Sequence, residues 1–257
     1  MGRFSKLELS GQRQPFEEAE PPGERDESYY LDLATRKHRS GHYEAALRYY
    51  ARTLEYNPNL PAPWLGQVQA LIELGELKEA KLWADKALEV HRDQPELLSA
   101  KAVACARLGD ITRAMAYSDA ALSKQGNTSY LWIARGEALL AADQGTDEYC
   151  FVKARSAPDA DWFTVLEIAK VHYSYAEYAK ALEWAEQARA RDAKRALVWC
   201  VLGKCQQALG MYADAERSLR QAISLDRSCE EAEYALTALR RRGPVRRLLA
   251  WLRDRFR

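Results

Sequence analysis

Between Ala196 and Cys229 the chain carries two runs of helical periodicity separated by one glycine. Trp199, Leu202, Gly203 and Gln206 share a face of the first run, and Tyr212, Ala215, Leu219 and Ala222 share a face of the second. Three- and four-residue steps of this kind predict two short amphipathic helices. Gly210 stands between them, where a sharp helix end needs a residue that tolerates positive φ. Gly203 and Ala215 are small where the two backbones must approach closely. Neither predicted helix can bury its apolar stripe alone, so the pair has to stack on further copies of itself.

The copies follow a fixed spacing. Turn glycines recur at Gly41, Gly75, Gly109 and Gly210, with gaps of 34, 34 and 101 residues, the last being one short of three repeats. The small residue of the second helix recurs at Ala46, Ala80, Ala114, Ala181 and Ala215, with gaps of 34, 34, 67 and 34. Two independent residue classes therefore keep one register and share one single-residue deletion. The 34-residue period, with W-x-x-L-G in the first helix and a small residue followed four places later by a large one in the second, resembles the tetratricopeptide repeat family. The resemblance covers roughly residues 27–229. It implies an all-α fold: a right-handed α-solenoid of about six helix-turn-helix repeats.

Taken in order, the units are 27–60, 61–94, 95–128, 129–161, 162–195 and 196–229. In the first, Tyr30, Leu33, Ala34, Tyr43, Ala46, Tyr50 and Leu54 take packing positions, which accounts for its run of tyrosines. His38 and His42 are four apart, but Gly41 ends the helix between them, so no metal site is expected. The fourth unit is irregular. Its turn position is Asp143, Gly145 follows, and the second helix starts near Asp147, read as an N-cap, and stops before Pro158. This is the expected place for a bend and for the softest junction. In the fifth unit the turn position is Ala176, which resists positive φ, so Tyr173–Ala176 is expected to turn differently. A capping helix is expected over 230–242, with Ala232, Ala235, Leu236 and Leu239 inward. Gly243-Pro244 then introduces a short basic amphipathic helix over 244–257, with Val245, Leu248, Leu249, Leu252 and Phe256 on one arc. Residues 1–26 are acidic, carry three prolines between Gln12 and Asp26, and read as a disordered tail.

Composition changes this picture little. Lys plus Arg total 38 and Asp plus Glu 37, so no global field points to nucleic acid. The charge is polarised, however: residues 240–257 hold eight arginines against Asp254 alone. No apolar run reaches the length of a membrane span, and the first residues lack the apolar core of a signal peptide and the myristoylation pattern. Cys105, Cys150, Cys200, Cys205 and Cys229 show no zinc spacing and fall mostly within helical patterns, which suits a reducing, cytoplasmic setting. No phosphate loop, hydrolase elbow or paired metal ligands occur, so no catalytic residue, metal or cofactor is expected and the chain is not read as an enzyme.

The resemblance implies a concave groove lined by the first helix of each pair, at its positions two, five, nine, twelve and thirteen. By register these include Leu31, Arg39, Leu65, Gln69, Arg107, Tyr130, Ile133, Phe163, Leu166, Lys170 and Lys204. Leu31 and Thr35 stand where the family's carboxylate-gripping Lys and Asn would be, so chaperone-tail binding is not implied. The lining is largely apolar, which suits an amphipathic helix or an extended apolar peptide. Packing between repeats accounts for the same apolar residues equally well. The leading reading is a scaffold or adaptor for protein partners, with no small-molecule substrate. The alternative is a peripheral membrane organiser whose terminal segment places Arg246, Arg247, Trp251, Arg253 and Arg257 at a partner or an anionic surface. A nucleic-acid role ranks last, since arginines without interleaved stacking aromatics give only salt-sensitive binding.

Overall fold

The computed structural model describes residues 26–124 and 126–241. The acidic tail, apart from Asp26, and the basic terminal helix with Arg246, Arg247, Trp251, Arg253 and Arg257 lie outside the described residues. Among those described there are thirteen α-helices and no strand: α1 (Glu27–Arg39), α2 (Tyr43–Tyr56), α3 (Pro61–Glu73), α4 (Leu77–Val90), α5 (Pro95–Arg107), α6 (Ile111–Ser123), α7 (Ser129–Ala141), α8 (Asp147–Arg155), α9 (Trp162–Ser174), α10 (Tyr178–Arg191), α11 (Ala196–Ala208), α12 (Tyr212–Leu225) and α13 (Glu230–Arg241). This is an all-α repeat array of the solenoid class.

Local chemistry starts and stops these helices. Asp26 caps α1 by accepting from the Tyr29 N–H at 2.9 Å. Pro61 and Pro95 open α3 and α5, where a missing N–H costs nothing. Asp161 and Thr164 form a capping box at the start of α9. The turns after α3, α5 and α11 close by the same pair of bonds. After α11, for example, the Gly210 N–H donates to Gln207 O at 3.1 Å and the Met211 N–H to Gln206 O at 2.9 Å. Gly210 has φ +81° there, which supplies the left-handed step.

Two turns make that step without glycine. Asp143 has φ +54° after α7, and Ala176 has φ +60° after α9. The expectation of a different turn at Ala176 is therefore corrected. Ala176 N–H donates to Tyr173 O at 3.1 Å and Glu177 N–H to His172 O at 3.0 Å, the pattern of the glycine turns. A side-chain clamp accompanies it: His172 Nδ1 lies 2.7 Å from Glu177 Oε2. Asp147 is also corrected, being the first residue of α8 rather than its cap.

The described residues divide into two compact units, the first ending at Asp147 and the second beginning at Glu148. The division falls after the first residue of α8, which at nine residues is the shortest helix described. In the first unit Leu47, Val68, Leu71, Trp83, Ala84, Ala100, Val103 and Ala134 form a shared core, with Trp64, Leu65 and Tyr130 packed against it. Gly66 lies under the Tyr50 ring, and a Cβ there would overlap it. His38 packs its ring 5.3 Å from that of Tyr43 and 6.1 Å from that of Tyr50. In the second unit Phe151 of α8 is fully buried, its ring 4.9 Å from that of His172. At Gly203 a Cβ would stand 2.7 Å from Leu219 Cγ, so the α11–α12 approach admits no side chain at that position. α13 closes onto the second unit's core with Ala232, Ala235, Leu236 and Leu239.

Candidate functional site

The first helices of successive pairs pack on one another: α3 on α5 and α5 on α7 in the first unit, α9 on α11 and α11 on α13 in the second. Their register decides what each face offers. Ile133 and Leu166, expected in an apolar lining, are covered, at 4% and 0% exposed. Ser99 and Cys200, at the same fifth position of their helices, are fully buried as well. That position is filled by packing, which corrects the reading of Ile133 and Leu166 as open lining. Leu65 and Tyr130 are half-buried against the first unit's core, and Leu31 packs beside Ala34, Ala46 and Tyr50.

Position nine and the helix ends carry the polar chemistry. In the first unit Arg107 Nε donates to Glu137 Oε1 at 2.6 Å, linking α5 to α7, with the Glu137 side chain only 1% exposed. A carboxylate covered to that degree needs such a charged partner. Arg39 and Gln69 are half-buried on α1 and α3.

The second unit presents aromatic rings and lysines together. Lys170 bonds Glu167 at 2.8 Å with its ammonium 5.9 Å from the Phe163 ring centroid. Phe163 is half-buried and edge-on to Trp162, with ring centroids 5.4 Å apart, a usual spacing for an aromatic pair. One repeat on, Lys204 sits 5.0 Å over the Tyr173 ring and pairs with Glu231 of α13. Burial works against the Lys204 charge, but the adjacent Glu231 carboxylate outweighs it and holds the ammonium above the ordinary lysine value. Burial pushes the Tyr173 phenol up, so it stays neutral. Tyr173 also packs against Tyr178 at 5.3 Å. Tyr234 of α13, at 78% exposed, is the most open large apolar side chain described.

Glu231 and Tyr234 were missed by reading α13 only as a cap. The signal was present: they stand 34 residues after Leu197 and Cys200, so α13 continues the first-helix register. Their side chains occupy positions two and five of a seventh first helix.

Comparison with known proteins agrees with this architecture. Tetratricopeptide repeat models match residues 38–104 and 196–229. The CTR9 homolog of Arabidopsis thaliana is 28% identical over 163 residues, which is 60% of this chain and 15% of that protein. The chain thus spans only a small part of that curated relative. Among solved structures, a tetratricopeptide repeat protein from Parabacteroides merdae superposes with a TM-score of 0.52 at 18% identity, covering 83% of this chain and 84% of the other. The human IFIT1 dimer with m7Gppp-AAAA gives a TM-score of 0.53 at 16% identity, covering 85% and 65%. At such identities the two structures speak for the fold alone. With helix pairs in a 34-residue register and two matches to the family's own models, residues 38–104 and 196–229 carry tetratricopeptide repeats.

Proposed function

We infer that this protein is a non-catalytic scaffold that holds a protein partner on the first-helix face of its second unit. Repeat arrays of this family expose extended surfaces and generally bind proteins. The observation that carries the reading is the row formed by Phe163, Lys170, Tyr173, Lys204 and Glu231, with the exposed Tyr234 three residues after Glu231 on α13. Rings that present a flat apolar face next to a fixed ammonium suit a peptide with an aromatic or aliphatic anchor flanked by a carboxylate. The ammonium groups are already neutralised by Glu167 and Glu231, so a partner carboxylate gains by exchange with an internal one, and affinity rests mainly on the rings.

The test is affinity capture with the full chain as bait, comparing wild type with Tyr173→Ala/Tyr234→Ala. A partner recovered by wild type and lost at least tenfold by the variant, with unchanged helix content, supports the reading. Equal recovery assigns binding to another surface. A cytoplasmic setting fits the five free cysteines. The basic segment 244–257, with eight arginines from 240 onward, supports membrane contact as the second reading. Flotation with anionic vesicles, with and without 244–257, tests that independently. Among the described residues no helix is long and apolar enough to cross a membrane. The human IFIT1 neighbour holds m7Gppp-AAAA, but a likeness of fold at 16% identity does not carry that ligand to this chain.

A further inference from the structure

Two thiols meet at the base of α13. Cys200 lies on α11 and Cys229 immediately precedes α13; both are free, and both are buried in one cluster with Ala215, Leu219, Ala222, Ala232 and Leu236. The two side chains share that cluster closely enough for each thiol to act on the other. The Cys200 S–H donates to Oε2 of Glu231, two residues beyond Cys229, at 3.8 Å, which ties α11 to the start of α13 at this place. Cys105 and Cys150 belong to α5 and α8, and Cys205 is five residues further along α11.

We propose that Cys200 and Cys229 form a dithiol oxidation site that reacts with hydrogen peroxide and closes to a reversible disulfide joining α11 to α13. Cys229 reacts first. The neighbouring Cys200 thiol holds its thiol below the ordinary value, and the Ala232 N–H in the first turn of α13 adds to that, as helix N-termini do for anions. The same thiol pair and burial push Cys200 up, so it stays protonated until it is needed. The Cys229 sulfur attacks the O–O bond of the peroxide. An S–O bond forms, the O–O bond breaks, and the departing hydroxide takes the Cys229 proton, leaving a sulfenic acid and water. The Cys200 sulfur then attacks Cys229. The S–S bond forms, the S–O bond breaks, and hydroxide leaves with the Cys200 proton as a second water. Two thiols lose two electrons and one peroxide gains them.

The fold favours the second step over further oxidation, because the resolving thiol already lies in the same cluster. Access comes from α13, which is held by the single face of Ala232, Ala235, Leu236 and Leu239. Local opening of such a helix uncovers a pair that is otherwise 0% and 7% exposed. Once closed, the disulfide pins α13 to α11 and keeps Glu231 against Lys204.

The test treats the full chain with hydrogen peroxide, blocks remaining thiols, and maps peptides without reduction. The expected result is a linked pair of peptides containing Cys200 and Cys229, two hydrogens lighter than their sum and separated by dithiothreitol. Thermal unfolding should shift up by about 5 °C on oxidation. Cys200→Ser should trap sulfenic or sulfinic acid on Cys229 and abolish the shift. Peroxide that leaves both thiols reduced, over-oxidises Cys229 in wild type, or links either thiol to a different cysteine overturns the proposal. The wild-type map decides the matter alone if the variant does not fold.

Discussion

The turn between α5 and α6 and the turn between α9 and α10 follow the same path with different residues. Gly109 has φ +81° and Ala176 φ +60°, and each N–H donates three residues back, at 3.0 and 3.1 Å. The next residue, Asp110 or Glu177, donates to the carbonyl of Cys105 or His172 at 2.9 and 3.0 Å. Glycine takes this backbone freely, whereas an alanine sets its Cβ against the carbonyl at a cost of about 1–2 kcal/mol. The surroundings differ accordingly. Asp110 turns its carboxylate onto the Arg113 N–H and caps α6. Glu177 instead reaches back across the turn to His172, at 2.7 Å, and also takes Lys180 at 3.1 Å. Glycine removes strain at one turn; a half-buried side-chain clamp opposes it at the other.

Breaking the clamp should have the largest effect. His172 is fully buried against Phe151, so His172→Ala removes the bond to Glu177 and leaves a cavity. A loss of about 3 kcal/mol is expected from such a site. Urea unfolding followed by circular dichroism gives the size, and hydrogen exchange should place the loss in α9 and α10. In the reverse exchange, Gly109→Ala meets no atom within 4 Å, so it imposes backbone strain alone. It should cost about 1–2 kcal/mol. Ala176→Gly should relieve strain and stabilise by about 1 kcal/mol, net of the flexibility glycine adds to the unfolded chain. If Ala176→Gly is destabilising, the alanine turn is not strained and the contrast between the two turns fails.

The register of helix pairs was legible because two residue classes repeat at 34, and both have a geometric reason: positive φ at Gly75, Gly109 and Gly210, and close approach at Gly203. The turn at Ala176 was not legible. Its stability depends on His172 meeting Glu177 in space, and a propensity for φ read at one position carries no trace of that pair. The candidate face was legible by position but not by exposure. Ile133 and Leu166 stand at the right register, yet neighbouring helices cover them, and coverage depends on how closely whole helices pack. Gly66 is the converse case: its role under the Tyr50 ring needs a partner from the preceding repeat to be seen.

The smallest effect, and the sharpest on the comparison, comes from pH. Burial opposes ionisation of Glu177, but the His172 ring and the Lys180 ammonium outweigh it and hold its pKa below the usual 4.5. A carboxyl with a lower pKa folded than unfolded binds fewer protons in the folded chain, so its contribution is fully present above about pH 4.5 and fades as pH falls through the depressed value. Glu177→Gln should therefore be less stable than wild type near neutrality and approach it in acid. Asp85, Asp93 and Asp192 are also held low by lysine or arginine partners and weaken the whole protein over the same range. Only the difference between wild type and variant isolates the clamp. Because Glu177 is a third exposed, solvent screens the pair and the difference should fall below that of Ala176→Gly. Amide exchange at the α9–α10 turn should accelerate in acid relative to the α5–α6 turn in wild type, and that excess should vanish in Glu177→Gln. An excess that persists in the variant would mean the alanine turn is held by backbone bonds alone, and the clamp only accompanies it.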